Sequence, residues 1–121
     1  MKITQFNYRS VNSTNNKAIN LIKKKKIKAG CVFSEKQTMG RGQRGKKWIS
    51  YKGNLSVSIF FSLEKINLTL KQLTTVNAKL IIKLISHYYK NKIKLKLPND
   101  ILIKRRKICG ILQETIQKNG V

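Results

Sequence analysis

Between residues 37 and 48 the chain reads Gln-Thr-Met-Gly-Arg-Gly-Gln-Arg-Gly-Lys-Lys-Trp, with three glycines interleaved with Arg41 and Arg44. Glycine adopts backbone conformations closed to other residues, so amides in such a loop can turn inward around an anion. The two guanidiniums add forked donors that match phosphate or carboxylate, and Trp48 offers a flat apolar face on which a base can stack. Taken alone, the stretch fits equally an Arg/Gly-rich RNA-binding tail or a mobile surface loop. A second constellation is Lys96, Leu97, Pro98, Asn99 and Asp100. A lysine leaving a strand before a proline-fixed turn holds its ammonium at a defined point, where it could neutralise a phosphate during displacement. Asn99 and Asp100 present oxygens suited to Mg²⁺ or to ribose hydroxyls, yet Pro-Asn-Asp is also ordinary β-turn chemistry. The third segment runs from Lys107 through Gly110 to Glu114. A glycine in a strand marks either a ligand's close approach or a bulge.

The elements that must hold these residues follow from periodicity and caps. Ser13, Thr14 and Asn15 offer a helix N-cap, and Ala18, Ile19, Leu21 and Ile22 form an apolar stripe behind it. A helix is predicted over residues 14–26, ending in the lysines 23–26 that suit its dipole, with Gly30 as the stop. Residues 31–35 read as a short strand. Residues 54–62 alternate as a strand, with Leu55, Val57, Ile59 and Phe61 on one face. Thr69 and Gln72 form a capping box for a helix of about five turns, whose apolar positions are Leu73, Val76, Leu80, Ile81, Leu84, Ile85 and Tyr88. Residues 93–97 alternate as a strand, and residues 101–104 and 107–114 as a hairpin turning at Arg105 and Arg106. The order helix, strand, strand, helix and three strands predicts an α+β fold, with helices packed on a mixed or largely antiparallel sheet.

At 121 residues the chain suits one compact domain. No apolar run approaches the length of a membrane span, and residues 1–10 lack the apolar centre of a secretory signal, so the cytoplasm is expected. Cys31 and Cys109 are too far apart for a metal site and read as structural thiols. The net charge of +23 raises a polyanion-binding role. However, lysine (22), isoleucine (16) and asparagine (11) are enriched together, and arginine numbers only 5. Selection for phosphate binding would enrich neither isoleucine nor asparagine and would favour arginine. Codon drift is therefore the better account of the charge, and no specific nucleic-acid partner is expected.

Taken in order, Ser13-Thr14-Asn15, the 37–48 loop, Gly53-Asn54-Leu55, residues 96–100 and residues 107–112 resemble the biotin protein ligases. The family patterns are S-T-N, Q-T-x-G-R-G-x-x-G-x-x-W, G-N-L, K-W-P-N-D and K-x-x-G-I-L. The resemblance implies the front part of a biotin ligase-like catalytic domain over residues 1–121, of the type shared with class II aminoacyl-tRNA synthetases. It also implies ATP-dependent conversion of biotin to biotinyl-5′-AMP and transfer to a lysine of a biotin carboxyl carrier protein, with Mg²⁺. At the matching positions it places Ser13, Thr14, Asn15 and Gln37 in the biotin pocket. Arg41, Gly42 and Gln43 fall in a loop that closes over biotin and the adenylate, and Gly40, Arg44 and Trp48 fall around ATP. Lys96 is the implied catalytic lysine, acting with Arg41 and reaching biotin's carboxylate. Asn99, Asp100 and Lys107 are implied nucleotide contacts, Asp100 being the possible Mg²⁺ contact.

Two positions depart from the pattern. Leu97 stands where the family usually has tryptophan, which makes the pocket wall smaller, and Gln43 stands where a basic residue is common. The chain is further expected to lack a DNA-binding domain, the later strand of the catalytic domain and a C-terminal barrel. Its sheet would then keep an unpaired edge, giving marginal stability or a homodimer. The rival expectations are a ligase remnant without turnover and a nonenzymatic polyanion-binding protein.

Overall fold

The computed structural model describes residues 2–117. Their contacts gather into two compact units. The first holds the chain up to Lys65 together with the stretch from Glu114, and the second is Ile66–Gln113.

The first unit is a three-stranded sheet with a helix on one face. Strand β1 (Thr4–Val11) leads into helix α1 (Thr14–Lys25), which returns to β2 (Gly30–Gln37), and β3 (Ser56–Phe60) completes the sheet. The order is β1-β2-β3, with β2 parallel to β1 and antiparallel to β3. Strand β1 is absent from the sequence prediction. It has the alternation of a half-buried strand, with Phe6 and Tyr8 packed against the core and Asn7 and Arg9 exposed. The core consists of Ala18 and Leu21 of α1 against Val32 and Phe60 of the sheet.

Helix α1 starts as predicted, with the Ser13 hydroxyl accepting from the Asn16 amide at 3.2 Å. Its end differs. Lys26, rather than a glycine, takes the left-handed capping conformation at φ 57°. Gly30 instead opens β2, where a Cβ would lie 2.8 Å from both the Phe60 ring and the Thr4 carbonyl.

Strand β3 forms within the predicted segment, but its more apolar face is not the buried one. Ser56, Ser58 and Phe60 are buried, while Leu55 and Ile59 are 77% and 59% exposed. A period of two defines two faces without saying which one the helix covers. Here the buried serines find hydrogen-bond partners, Ser58 on α1 and Ser56 at Ser50.

The second unit joins helix α2 (Leu70–Ile85) to an antiparallel meander of β4 (Lys94–Lys96), β5 (Asp100–Ile103) and β6 (Arg106–Gly110). The predicted capping box is present: the Gln72 amide donates to Thr69 Oγ1 at 3.1 Å, and the Thr69 amide donates to Gln72 Oε1 at 2.9 Å. The apolar stripe of α2 is only partly buried. Leu73 and Ala78 are buried, Leu80 and Leu84 are more than half exposed, and Tyr88 falls beyond the helix. The hairpin turns at Lys104 and Arg105, one residue earlier than predicted, and both take positive φ (50° and 65°) as a two-residue hairpin requires. Strand β6 ends at Gly110 rather than at residue 114. Residues beyond it are fixed instead by side chains, with Gln113 accepting from Asn77 Nδ2 at 2.9 Å and donating to the Leu70 carbonyl at 3.3 Å. The architecture is α+β, with a mixed and an antiparallel sheet in place of one. Among the described residues, no helix is long and apolar enough to cross a membrane.

Candidate functional site

The first unit brings the N-terminus of α1, the end of β2, the middle of β3 and the glycine loop into one polar cluster. Ser13, 1% exposed, fixes the helix start. Thr14 then donates twice to one oxygen, its amide at 2.8 Å and its hydroxyl at 3.1 Å from Gln37 Oε1. This clamp joins residues 23 apart in the chain and sets the Gln37 amide with its oxygen on Thr14. Ser58 reaches across from β3, its hydroxyl 2.8 Å from Thr14 Oγ1 and in hydrogen-bond contact with Asn15 Oδ1.

The glycine loop is tied to the same place by its backbone. The Thr38 and Met39 amides donate to the carbonyls of Val11 and Asn12 at 2.9 and 2.7 Å, which fastens the exit of β2 to the turn before α1. Beyond it the loop closes on itself: Trp48 donates to the Gly40 carbonyl at 2.8 Å, Gly42 to the Lys46 carbonyl at 2.7 Å, and Arg41 bridges Lys47. Gly40 is required by close approach, since a Cβ there would lie 2.5 Å from the Trp48 carbonyl oxygen. The anion nest read from the glycine spacing is therefore not formed at Gly42, whose amide is spent inside the loop. Gln43 and Arg44 lie in a single 3₁₀ turn (Gln43–Gly45), with Arg44 exposed at φ 56°, and Trp48 is half-buried.

Arg41 is the loop side chain aimed into the cluster. Its Nε donates to Asn16 Oδ1 at 3.0 Å, and its two terminal nitrogens clasp the Glu114 carboxylate at 2.7 and 2.9 Å. Asn15 Nδ2 donates to the same carboxylate at 3.0 Å. The hydrogen bond from Arg41 holds the Glu114 carboxyl below the usual carboxylate range, against the opposing effect of burial, with Asn15 helping. Glu114 in turn raises the basicity of Arg41.

The second unit holds the other predicted residues. Lys96 ends β4 exposed, and its register partner on β5 is Asp100. Asp100 pairs with Lys107 at 3.0 Å. Asn99 serves the fold: its Nδ2 donates to the Ile111 carbonyl at 2.6 Å, and the Ile111 amide returns a bond to the Asn99 carbonyl at 3.0 Å. Among the described residues no group of three or more His, Cys, Asp or Glu converges as a metal cage. Mg²⁺ in phosphate chemistry commonly takes one or two protein carboxylates and leaves the rest to substrate oxygens and water. Asp100 is one such carboxylate, paired here with Lys107. Cys31 and Cys109 are free thiols, and burial pushes the Cys109 thiol up, which disfavours its nucleophilic form.

Three contributors escaped the sequence reading: Ser58, Asn16 and the role of Glu114. Ser58 was hidden by the assumption that apolar residues mark the inner face. Glu114 carried a usable signal, being one of only four acidic residues beside 27 basic ones.

A model of the biotin/lipoate A/B protein ligase family matches residues 7–121. The chain is similar to the bifunctional ligase/repressor BirA of Escherichia coli strain K12, with 33% identity over 111 residues, covering 91% of this chain and 34% of that protein. Similarity to the Bacillus subtilis bifunctional ligase/repressor BirA is 34% over 84 residues, covering 69% and 26%. The chain thus spans about a quarter to a third of the length of these curated relatives. The biotin acetyl coenzyme A carboxylase synthetase of Helicobacter pylori, solved with bound biotinylated ATP, shares the fold at a TM-score of 0.86 and 21% identity, over 97% of this chain and 57% of that one. The biotin protein ligase of Aquifex aeolicus, solved with biotin and ATP, aligns at a TM-score of 0.82 and 25% identity, over 95% and 48%.

Proposed function

The chain belongs to the biotin/lipoate A/B protein ligase family, and from that premise we propose that it activates biotin with ATP and passes the biotinyl group to a lysine of a biotin carboxyl carrier protein. In the first step a carboxylate oxygen of biotin attacks the α-phosphorus of ATP, the bond to the β-phosphate oxygen breaks, and pyrophosphate leaves. In the second, the carrier lysine's amine attacks the acyl carbon, AMP departs, and the amine's proton goes to solvent. Neither step needs a protein nucleophile; positioning and electrostatics suffice.

The observation that carries this proposal is the cluster of Thr14, Asn15, Gln37 and Ser58 beside Arg41. Biotin's bicyclic head is a small apolar body with a urea edge, and buried hydroxyl and amide groups on a rigid helix start and strand end suit such an edge. In this proposal Ser13, Thr14, Asn15 and Gln37 hold the urea, and Arg41, Gly42 and Gln43 cover the activated acyl group. By the resemblance, nucleotide contacts are assigned to Gly40, Arg44 and Trp48 of the first unit and to Lys107 and the remaining amide oxygen of Asn99 in the second. Lys96 supplies the ammonium that offsets charge on the α-phosphoryl oxygens and meets biotin's carboxylate. Asp100 is the carboxylate that would meet Mg²⁺ entering with ATP, exchanging its ion pair with Lys107.

Incubating the chain with biotin and ATP and measuring biotinyl-5′-AMP by mass spectrometry tests the first step. Addition of a carrier domain and probing with streptavidin tests the second. Adenylate without carrier labelling would restrict the activity to activation. Absence of both, with biotin still bound, would leave a binding remnant without turnover.

A further inference from the structure

The inner face of β3 presents serines where a sheet beneath a helix ordinarily presents apolar side chains. Ser58 is 7% exposed, and its register partner on β2 is the fully buried Val32. Burying a hydroxyl carries a desolvation cost that alanine would avoid, so its bonds must compensate. Those bonds all lead to α1: Ser58 Oγ meets Thr14 Oγ1 at 2.8 Å and also meets Asn15 Oδ1. A serine hydroxyl has one proton, so it serves one of these oxygens at a time. The Thr14 proton is directed elsewhere, to Gln37 Oε1 at 3.1 Å.

We infer that Ser58 is a positioning residue for the biotin site, its hydroxyl holding Thr14 and Asn15 in the rotamers that receive the urea. The inference rests on the proposed biotin-binding function. In the empty site the Ser58 proton can lie on Thr14. When a urea N–H donates to Thr14 Oγ1, that proton swings to Asn15, so Thr14 accepts the ligand without losing its orientation. Ser58 thus tunes biotin affinity through two neighbours and has no part in nucleotide binding.

The test is calorimetric titration of the whole chain with biotin, and separately with ATP, for the wild type, Ser58→Ala, Thr14→Val and the double variant. Loss of one neutral hydrogen bond predicts that Ser58→Ala weakens biotin binding about three- to tenfold. ATP affinity should stay at its wild-type value. The double variant should bind biotin at least about threefold better than the product of the single losses, because both substitutions cut the same link. Ser58→Cys, with similar volume and a weaker donor, should fall between serine and alanine, and stands in if the alanine variant fails to fold. Wild-type affinity in Ser58→Ala would overturn the inference while leaving biotin binding intact. Equal losses for biotin and ATP, or strictly multiplicative effects, would also overturn it. A wild-type chain that binds no biotin would remove the functional proposal and this inference together.

Discussion

Replacing Glu114 with glutamine removes a negative charge while keeping the shape of the side chain, and its consequence for stability depends on pH. The Arg41–Glu114 pair is bidentate, at 2.7 and 2.9 Å, and each side chain is about a third exposed (35% and 33%). Exposed ion pairs contribute roughly 0.2–1 kcal/mol after solvent screening, and paired parallel bonds put this one near the upper end. For a chain of this size about 1 kcal/mol corresponds to roughly 3–5 °C in melting temperature. The Glu114 carboxyl is held below its ordinary range, chiefly by the bond from Arg41. A carboxyl lowered in the folded state contributes stability that is complete above its unfolded pKa of about 4.3 and is lost as pH falls through the folded value. Glutamine does not titrate. Thermal unfolding followed by circular dichroism should therefore show the variant a few degrees less stable at pH 7, the gap closing as pH falls below about 4. It should also narrow in 1 M salt. An equal gap at neutral and acid pH, or none at pH 7, would refute the view that the pair stabilises the fold as a charge pair.

Gly40→Ala would push a Cβ to 2.5 Å from the Trp48 carbonyl oxygen, so it should destabilise by about 1–3 kcal/mol and weaken biotin binding; a melt and a titration would check both. Lys26→Gly should stabilise by up to about 1 kcal/mol, because Lys26 sits at φ 57°; a rise in melting temperature would show it, and a fall would mean the lysine side chain contributes more than its backbone costs. Lys96→Ala should lower the rate of biotinyl-5′-AMP formation by at least about a hundredfold and also weaken biotin binding, since the ammonium meets the carboxylate; retention of the rate would remove Lys96 from the proposed mechanism.

Features governed by neighbours in the chain were legible in the sequence. The Ser13 cap and the Thr69/Gln72 capping box each depend on residues three apart, and both formed as read. The glycine loop was found by composition, but its internal closure was not, since Gly42-to-Lys46 and Trp48-to-Gly40 pairing depends on the fold. Strand β1 was overlooked because only two aromatic residues, Phe6 and Tyr8, carry its inner face, and it is held by pairing to β2. The buried face of β3 was not legible for a related reason: Leu55, Val57 and Ile59 are the more apolar set, yet Ser58 has its partners on α1 and Ser56 meets Ser50. Glu114 stands out in the sequence by its charge, but its pairing could not be assigned there, because its partner Arg41 is 73 residues away. Long-range polar pairing is what local pattern leaves out.

The most direct measurement is the titration of ¹⁵N-labelled chain with biotin, followed by amide NMR. Saturable shifts at Thr14, Asn15, Gln37 and its side-chain amide, and Arg41 are predicted, together with Ser58 on β3. Shifts confined to other surfaces, or an unchanged spectrum at millimolar biotin, would contradict the assignment of this cluster as the biotin site.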